Sequence, residues 1–435
     1  MATPAEQPVS RTIPVANAVS EGYRRYVLGL LVVVYILNFV DRQILTILTE
    51  DIRKEMALND TLIGLLTGSA FALFYTFMGI PIARWADRGT RRTIIALALT
   101  VWSAMTAITG LAQSFAQLAL ARIGVGIGEA GGSPPAHSIL SDLFPPERRG
   151  TALSIYSLGI PLGGGIGALL GGQLGMHYGW RAAFMIVGVP GVLIALLLRA
   201  TVAEPKREVV GKSSGEGESI GEVLRFMGKL PSFRHMALGA SMHALYGYGA
   251  ANWVPAFLIR SHHMTKDSVG KWLFATSLTL GVLGTFLGGF ITDRVSKRDP
   301  SWYLRVPAIA SGMALPFAFA FYLWNDTATA LLLSVPGLLL GGVYLGPTFA
   351  MTQTLVKPQM RALASSILLF IINLIGLGLG PLLVGWISDL LRPSVGDDSL
   401  RYALLIVVIG GGSWATLQYV LASRTLAVDL DAKHR

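Results

Sequence analysis

Long apolar runs alternate with short polar joints along this chain, and each run is close to the length that crosses a bilayer. About 20 apolar residues suffice for a helix to span the hydrocarbon core. The runs predict twelve spans, near 24–48, 62–83, 93–113, 115–141, 150–175, 182–201, 236–258, 268–291, 305–324, 328–355, 361–388 and 402–423. The longest polar stretch, 203–233, follows six runs and leaves six. Within it, residues 219–230 put Ile220, Val223, Leu224 and Met227 on one helical face. That pattern predicts a short helix lying on the membrane surface; the competing reading is a structureless linker. The resulting layout is a tail (1–23), a six-helix bundle (24–202), a linker with its surface helix (203–235), a second six-helix bundle (236–424) and a tail (425–435).

Composition supports lipid as the outer solvent. Of 435 residues, 52% are hydrophobic and only 14% are charged, against about a quarter charged in soluble domains. A bilayer removes the need for a charged surface. The first 22 residues are polar and Pro/Ala-rich, so no cleavable signal peptide is expected. Cysteine is absent, which excludes disulfides and thiolate metal sites.

The net charge of +10 is distributed as a membrane protein distributes it, between apolar runs, rather than as a nucleic-acid-binding face. With the N-terminus inside, 25 of the 35 Lys and Arg fall on inner joints and tails and eight on outer joints. Arg42 and Arg122 lie within spans. This asymmetry places both termini in the cytoplasm, and the compact joints suggest a bacterial inner membrane.

The two halves repeat. The joint after the second span reads Ala83-Arg84-Trp85-Ala86-Asp87-Arg88-Gly89-Thr90-Arg91-Arg92. The joint after the eighth reads Gly289-Phe290-Ile291-Thr292-Asp293-Arg294-Val295-Ser296-Lys297-Arg298. A second pair, Arg149-Gly150-Thr151-Ala152-Leu153-Ser154 and Arg361-Ala362-Leu363-Ala364-Ser365-Ser366, opens the fifth and eleventh spans at nearly the same offset. Internal repeats of this kind build secondary transporters.

These Asp-Arg-x-x-basic-basic joints resemble the signature of the major facilitator superfamily. They depart from it at Ala83 and Thr90, and at Ser296, where that family favours glycine. Within the superfamily the chain is most similar to spinster-type transporters. Three stretches carry that likeness: Asn38-Phe39-Val40-Asp41-Arg42-Gln43, Arg122-Ile123-Gly124-Val125-Gly126-Ile127-Gly128-Glu129-Ala130, and Ser138-Ile139-Leu140-Ser141-Asp142-Leu143-Phe144. The Asn-x-x-Asp-Arg element also occurs in organic-anion transporters of the same fold. The resemblance implies an all-α, twelve-helix fold of two pseudo-symmetric bundles. It implies a monomeric, proton-linked or facilitative carrier of lysolipids or sphingoid phosphates such as sphingosine-1-phosphate. A carrier of small organic anions or drugs on the same fold is the alternative. It further implies that Asp87, Arg88 and Arg91, with Asp293 and Arg294, gate the inner side through a charge link that breaks on rocking; ordinary topology-setting charge is the plainer reading.

The residues point the same way without the family. Asp41, Arg42, Arg122 and Glu129 are the charges inside the predicted spans away from their ends, and intramembrane charges face a partner or a water-filled cavity. On the predicted boundaries Asp41 and Arg122 share a depth in the outer half, which allows an Asp41–Arg122 ion pair. Glu129 lies two turns beyond Arg122 on the same face. Protonating Asp41 or Glu129 would then free Arg122 to bind an anionic head group or to release the closed state; a static latch between helices is the alternative. Arg42 either snorkels to the outer interface or attracts anionic substrate. Asn38 either orients these groups or bonds across helices.

The second half offers no charge in the interior of its predicted spans; Lys271, Arg305 and Arg361 lie at or near their ends. It supplies Tyr246, Asn252, Trp253 and Asn373, with Tyr248, Tyr344 and Gln353, as an apolar-aromatic wall for the tail of an amphiphile. Gly159, Gly163, Gly167 and Gly171, echoed by Gly376 and Gly380, predict close helix packing. Gly126-x-Gly128-x-x-Gly131 matches the dinucleotide fingerprint, but it lies inside an apolar helix rather than after a strand. No phosphate-binding G-x-x-x-x-G-K-[ST], H-E-x-x-H or G-x-S-x-G occurs. His137, His243, His262 and His263 lack metal-ligand context. No enzyme activity, metal, cofactor or nucleic-acid partner is expected; the expected partners are substrate and membrane lipid, and the expected energy source is a proton gradient.

Overall fold

The computed structural model describes residues 20–205 and 219–433. The expected tail 1–23, its last four residues apart, lies outside the described residues, and so do residues 206–218 of the polar linker. Arg11, Lys206, Arg207, Lys212 and Arg435 lie outside them too. Among the described residues, twelve helices cross the molecule as two sets of six. The first set is α1 (Glu21–Glu55), α2 (Asp60–Arg88), α3 (Arg91–Thr109), α4 (Phe115–Glu129 continued by Ser133–Leu143), α5 (Pro146–His177) and α6 (Gly179–Thr201). A surface helix, α7 (Ile220–Lys229), leads to the second set. That set is α8 (Pro231–Ser261), α9 (Lys266–Val295), α10 (Trp302–Leu323), α11 (Thr327–Leu355), α12 (361–395) and α13 (Ser399–Lys433). Leu193, Leu196, Phe286 and Leu332 are each more than 60% exposed, which marks the belt that faces lipid.

The helices outrun the predicted spans because helix continues past the hydrocarbon wherever no breaker follows. α1 is 35 residues long, about 50 Å at 1.5 Å per residue. Asp41 therefore sits about 30 Å along it, nearer the middle than the outer-half placement expected. α13 runs to Lys433 instead of stopping near 424, and Asp429 anchors its end by accepting the Ser232 backbone N–H at 2.7 Å. The fourth span, expected to be continuous, breaks at 130–132 on shortened turns, Gly131 N to Gly128 O and Gly132 N to Glu129 O. Pro134 and Pro135 follow, and they cannot donate the bonds that would continue the upstream helix.

Glycine sets the packing of matching helices in the two halves. A Cβ at Gly163 would stand 2.5 Å from the Ile36 carbonyl of α1, and one at Gly380 would lie against the Leu245 carbonyl of α8. Thus α5 lies on α1 as α12 lies on α8, and each contact requires a missing side chain. Across the halves, α2 meets α12 and α5 meets α9. Ser69 Oγ donates to the Gly378 carbonyl at 2.7 Å, and Ser277 Oγ to the Pro161 carbonyl at 3.0 Å. π-helical turns at Leu65–Ser69, Ser277–Gly281 and Asn373–Leu377 fall on these two seams.

The surface helix forms as the pattern predicts. Ser219 Oγ accepts the Glu222 N–H, and Glu222 returns a bond to the Ser219 N–H, which closes a capping box. Its apolar face divides: Val223 and Met227 are buried, while Ile220 and Leu224 stay exposed.

Candidate functional site

Asp41, Arg122 and Glu129, all buried, gather with Arg42 at mid-length of α1 and α4. Glu129, with its side chain fully buried, ends the first segment of α4, where the break leaves its carboxylate facing α1. Arg42 of α1 turns inward to meet it: Nε and Nη2 each lie 2.7 Å from Oε2. Arg42 neither snorkels to the surface nor stands free for substrate. Its guanidinium is held among the rings of Phe39, Phe71 and Tyr75, 4.6–5.1 Å from their centroids. Such packing keeps the cation charged and oriented in an apolar setting.

The expected Asp41–Arg122 ion pair is absent among the described residues. Asp41 is buried beside the Thr106 hydroxyl, within electrostatic range of Glu129, Arg122 and Arg42. Arg122 is buried over the Phe71 ring at 5.3 Å, and its Nε has no hydrogen-bond partner. Glu129 Oε1 is also without one, and Asn38 is buried alongside. Two cations and two carboxylates therefore share one buried volume with a single direct pair between them. A cluster with spare donors and spare acceptors can rearrange when one proton is added.

The second half holds a cavity of about 510 Å³. α8, α9, α10 and α11 supply most of its wall, and Gln43 and Gly164 reach it from the first half. The lining is mostly apolar, including Val254, Leu258, Leu315 and Phe321. Tyr246, Tyr248 and Tyr344 line it, and Tyr248 lies within electrostatic range of Arg42.

Other expected wall residues are placed elsewhere. Trp253 is buried, with Nε1 donating to the Pro381 carbonyl at 2.8 Å. Asn252 Nδ2 donates to the Tyr248 carbonyl of its own helix. Asn373 opens the π-helical turn of α12, half-buried.

His243, set aside on sequence grounds, forms the polar spot of the cavity. Its Nδ1 lies 3.0 Å from Ser311 Oγ and 2.9 Å from Tyr246 Oη, its Nε2 lies 3.1 Å from the Gly341 carbonyl, and Tyr344 stacks on its ring. A carbonyl only accepts, so Nε2 carries the proton and Nδ1 accepts from a hydroxyl.

The halves are held at the end away from the basic joints. Arg260 of α8 donates to both carboxylate oxygens of Asp60, 2.8 Å each, and to Glu50. Asp389 of α12 accepts the backbone N–H of Asp60 and Thr61 at 3.0 and 2.7 Å, and Ser388 donates to Asp60 at 2.7 Å. Lys266 reaches Asp51 at 2.6 Å. Among the described residues, all ion pairs joining the halves lie at this end. Helices of the second half thus do carry charge, at ends beyond the predicted spans.

The basic end differs. Asp87, Arg88, Asp293 and Arg294 are exposed. Arg91 is buried, and it bonds Asp142 at 2.5 Å, Ser138 at 2.7 Å and Glu204 at 2.8 Å. These contacts tie α3 to α4 and to the end of α6, so Arg91 braces the first half rather than linking the two.

Two six-helix halves, clasped at one end around buried charges and an apolar cavity, define a membrane carrier rather than an enzyme. The pattern of the Major Facilitator Superfamily matches residues 31–381, and the chain belongs to that superfamily. Within it the likeness is to spinster proteins. A solved structure of a bacterial homologue of the human lysosomal transporter Spinster, inward-facing and unoccupied, is 35% identical with a TM-score of 0.85, covering 94% of this chain and 99% of its own. An MFS-type efflux pump of Mycolicibacterium smegmatis is 36% identical over 92% of this chain and 93% of its own length. Protein spinster homolog 1 of Xenopus laevis is 28% identical over 91% and 81%.

Proposed function

We propose that the protein is a proton-linked secondary transporter of a single-chain amphiphile with an anionic head group, a lysophospholipid or sphingoid phosphate. In this reading it works as a monomer by alternating access in a bacterial inner membrane, with the basic end and both termini cytoplasmic. The observation that carries the reading is the pairing of an apolar cavity of about 510 Å³ with the Arg42 and Arg122 cations. A cavity of this size suits a drug-sized or lipid-tail ligand, and Tyr248 at its wall lies within electrostatic range of Arg42. In this reading the clasp at Asp60 closes the outer side and the molecule opens at the basic end. Glu129 is the proton acceptor: protonated, it loses the charge that holds Arg42, and Arg42 turns to the phosphate. Exposed Asp87 and Arg88, with Asp293 and Arg294, engage across the inner side when the molecule opens outward.

The reading predicts the effect of filling the cavity. A Cβ at Gly337 meets nothing within 4 Å, and Gly337 lines the cavity. Gly337→Phe is expected to lower lysophospholipid exchange in proteoliposomes about tenfold or more, by excluding part of a tail worth ~0.8 kcal/mol per methylene. The second reading, a carrier of small organic anions or drugs, draws on the efflux-pump relative. Under it, water-soluble anions alone compete for transport and Gly337→Phe leaves that competition intact. Counterflow against a panel of lysolipids and small anions at two pH values decides between them.

A further inference from the structure

A second site lies at the basic end, outside the transport path. α7 and the joint that precedes α12 enclose a recess of about 310 Å³ lined by Glu222, Arg225, Phe226, Lys229, Lys357 and Met360. Three cations line it against one carboxylate, Glu222, which lies within electrostatic range of Arg225. Glu222 is committed to the capping box, its carboxylate accepting the Ser219 N–H at 2.7 Å. Arg225 and Lys229 form no ion pair among the described residues. Lys357 approaches from more than a hundred residues away, and its Nζ stands 5.9 Å from the Phe226 ring centroid.

The surroundings of these cations are lipid-like. Ile220 and Leu224, 50% and 47% exposed, continue α7 as an apolar strip beside them, while Val223 and Met227 anchor the helix to the second half. An amphipathic helix at the membrane surface buries such a strip among acyl chains and keeps its cations at the head groups.

We infer that this recess binds the head-group phosphate of an anionic phospholipid of the inner leaflet, gripped by Arg225, Lys229 and Lys357, with its acyl chains along Ile220 and Leu224. Arg225 offers a planar fork of donors, and the two lysines add point charges, the combination that suits a phosphate diester. The bound lipid would pin the linker to the second half at the joint between α11 and α12. The site is separate from the carrier's cavity, so the inference does not depend on which substrate is moved.

The test is lipid retention by the full chain in detergent, read by native mass spectrometry with equimolar phosphatidylglycerol and phosphatidylcholine. The wild-type protein is expected to retain phosphatidylglycerol preferentially. Each cation near an anionic head group contributes about fivefold in affinity, so R225Q/K229Q/K357Q should lower that preference about tenfold or more. The matched variant K297Q/R298Q/R424Q removes the same charge elsewhere and should leave the preference within about twofold. Leu224→Ser should weaken retention with every cation in place. Equal loss in the two triple variants overturns the inference, since net charge alone would then account for retention. Displacement of the lipid by millimolar inorganic phosphate overturns the choice of lipid, because the recess would then take a soluble anion.

Discussion

Asp60→Asn or Arg260→Ala is expected to open the clasped end of the molecule. Asp60 is fully buried and accepts from Arg260 and Ser388 at once, while Asp389 holds the backbone just beside it. Removing one partner of such a pair strands the other, at a cost of ~3–5 kcal/mol. That cost falls on the clasped conformation alone, because opening returns Arg260 to water. A shift of ~3 kcal/mol changes the ratio of conformations about 100-fold. The chain contains no cysteine, so Lys54→Cys and Asp397→Cys supply unique spin-label positions at this end. Pulsed dipolar distances should lengthen in either clasp variant. An unchanged distance distribution would show that helix packing, not the charge cluster, keeps this end shut.

Glu129→Gln is expected to have the second large effect, on coupling rather than on packing. Glutamine keeps the shape of protonated glutamate and removes its charge. The two bonds from Arg42 then fall from an ion pair to bonds charged on the arginine side alone, a loss of about 1 kcal/mol each. The variant should behave as though permanently protonated. Exchange of substrate without a gradient should persist, while accumulation driven by a pH gradient should fall at least about tenfold. Acidifying the side open to the site should release Arg42 in the wild-type protein and change nothing in the variant. Asp41→Asn distinguishes the two carboxylates, since Asp41 has no ion-pair partner among the described residues. A full loss of gradient response in Asp41→Asn, with Glu129→Gln normal, would assign the proton to Asp41.

The framework was legible because lipid imposes it. Apolar runs of spanning length, basic joints and the repeated Asp-Arg elements led directly to two six-helix halves, and the four intramembrane charges were visible as exceptions. The choice of partner was not. Spacing within α4 places Arg122 and Glu129 on one line, but it says nothing of how α1 is rotated against α4. That rotation directs Arg42 to Glu129 and leaves Asp41 beside Thr106. The break at 130–132 was written in Pro134 and Pro135, yet the apolar run across it concealed the stop. The Asp60–Arg260 clasp joins residues 200 apart in sequence, and no local pattern pairs such residues. His243 looked like an isolated histidine because its partners, Ser311 and the Gly341 carbonyl, come from two other helices.

The central claim is that substrate movement and proton movement share one switch at Glu129 and Arg42. Its most direct measurement is the internal pH of proteoliposomes, read with a trapped dye, when lysophospholipid is added outside without a preset gradient. The account predicts a pH change in step with lysophospholipid transport for the wild-type protein, and transport without that change for Glu129→Gln. Lysophospholipid transport by the wild-type protein with no proton movement would contradict it.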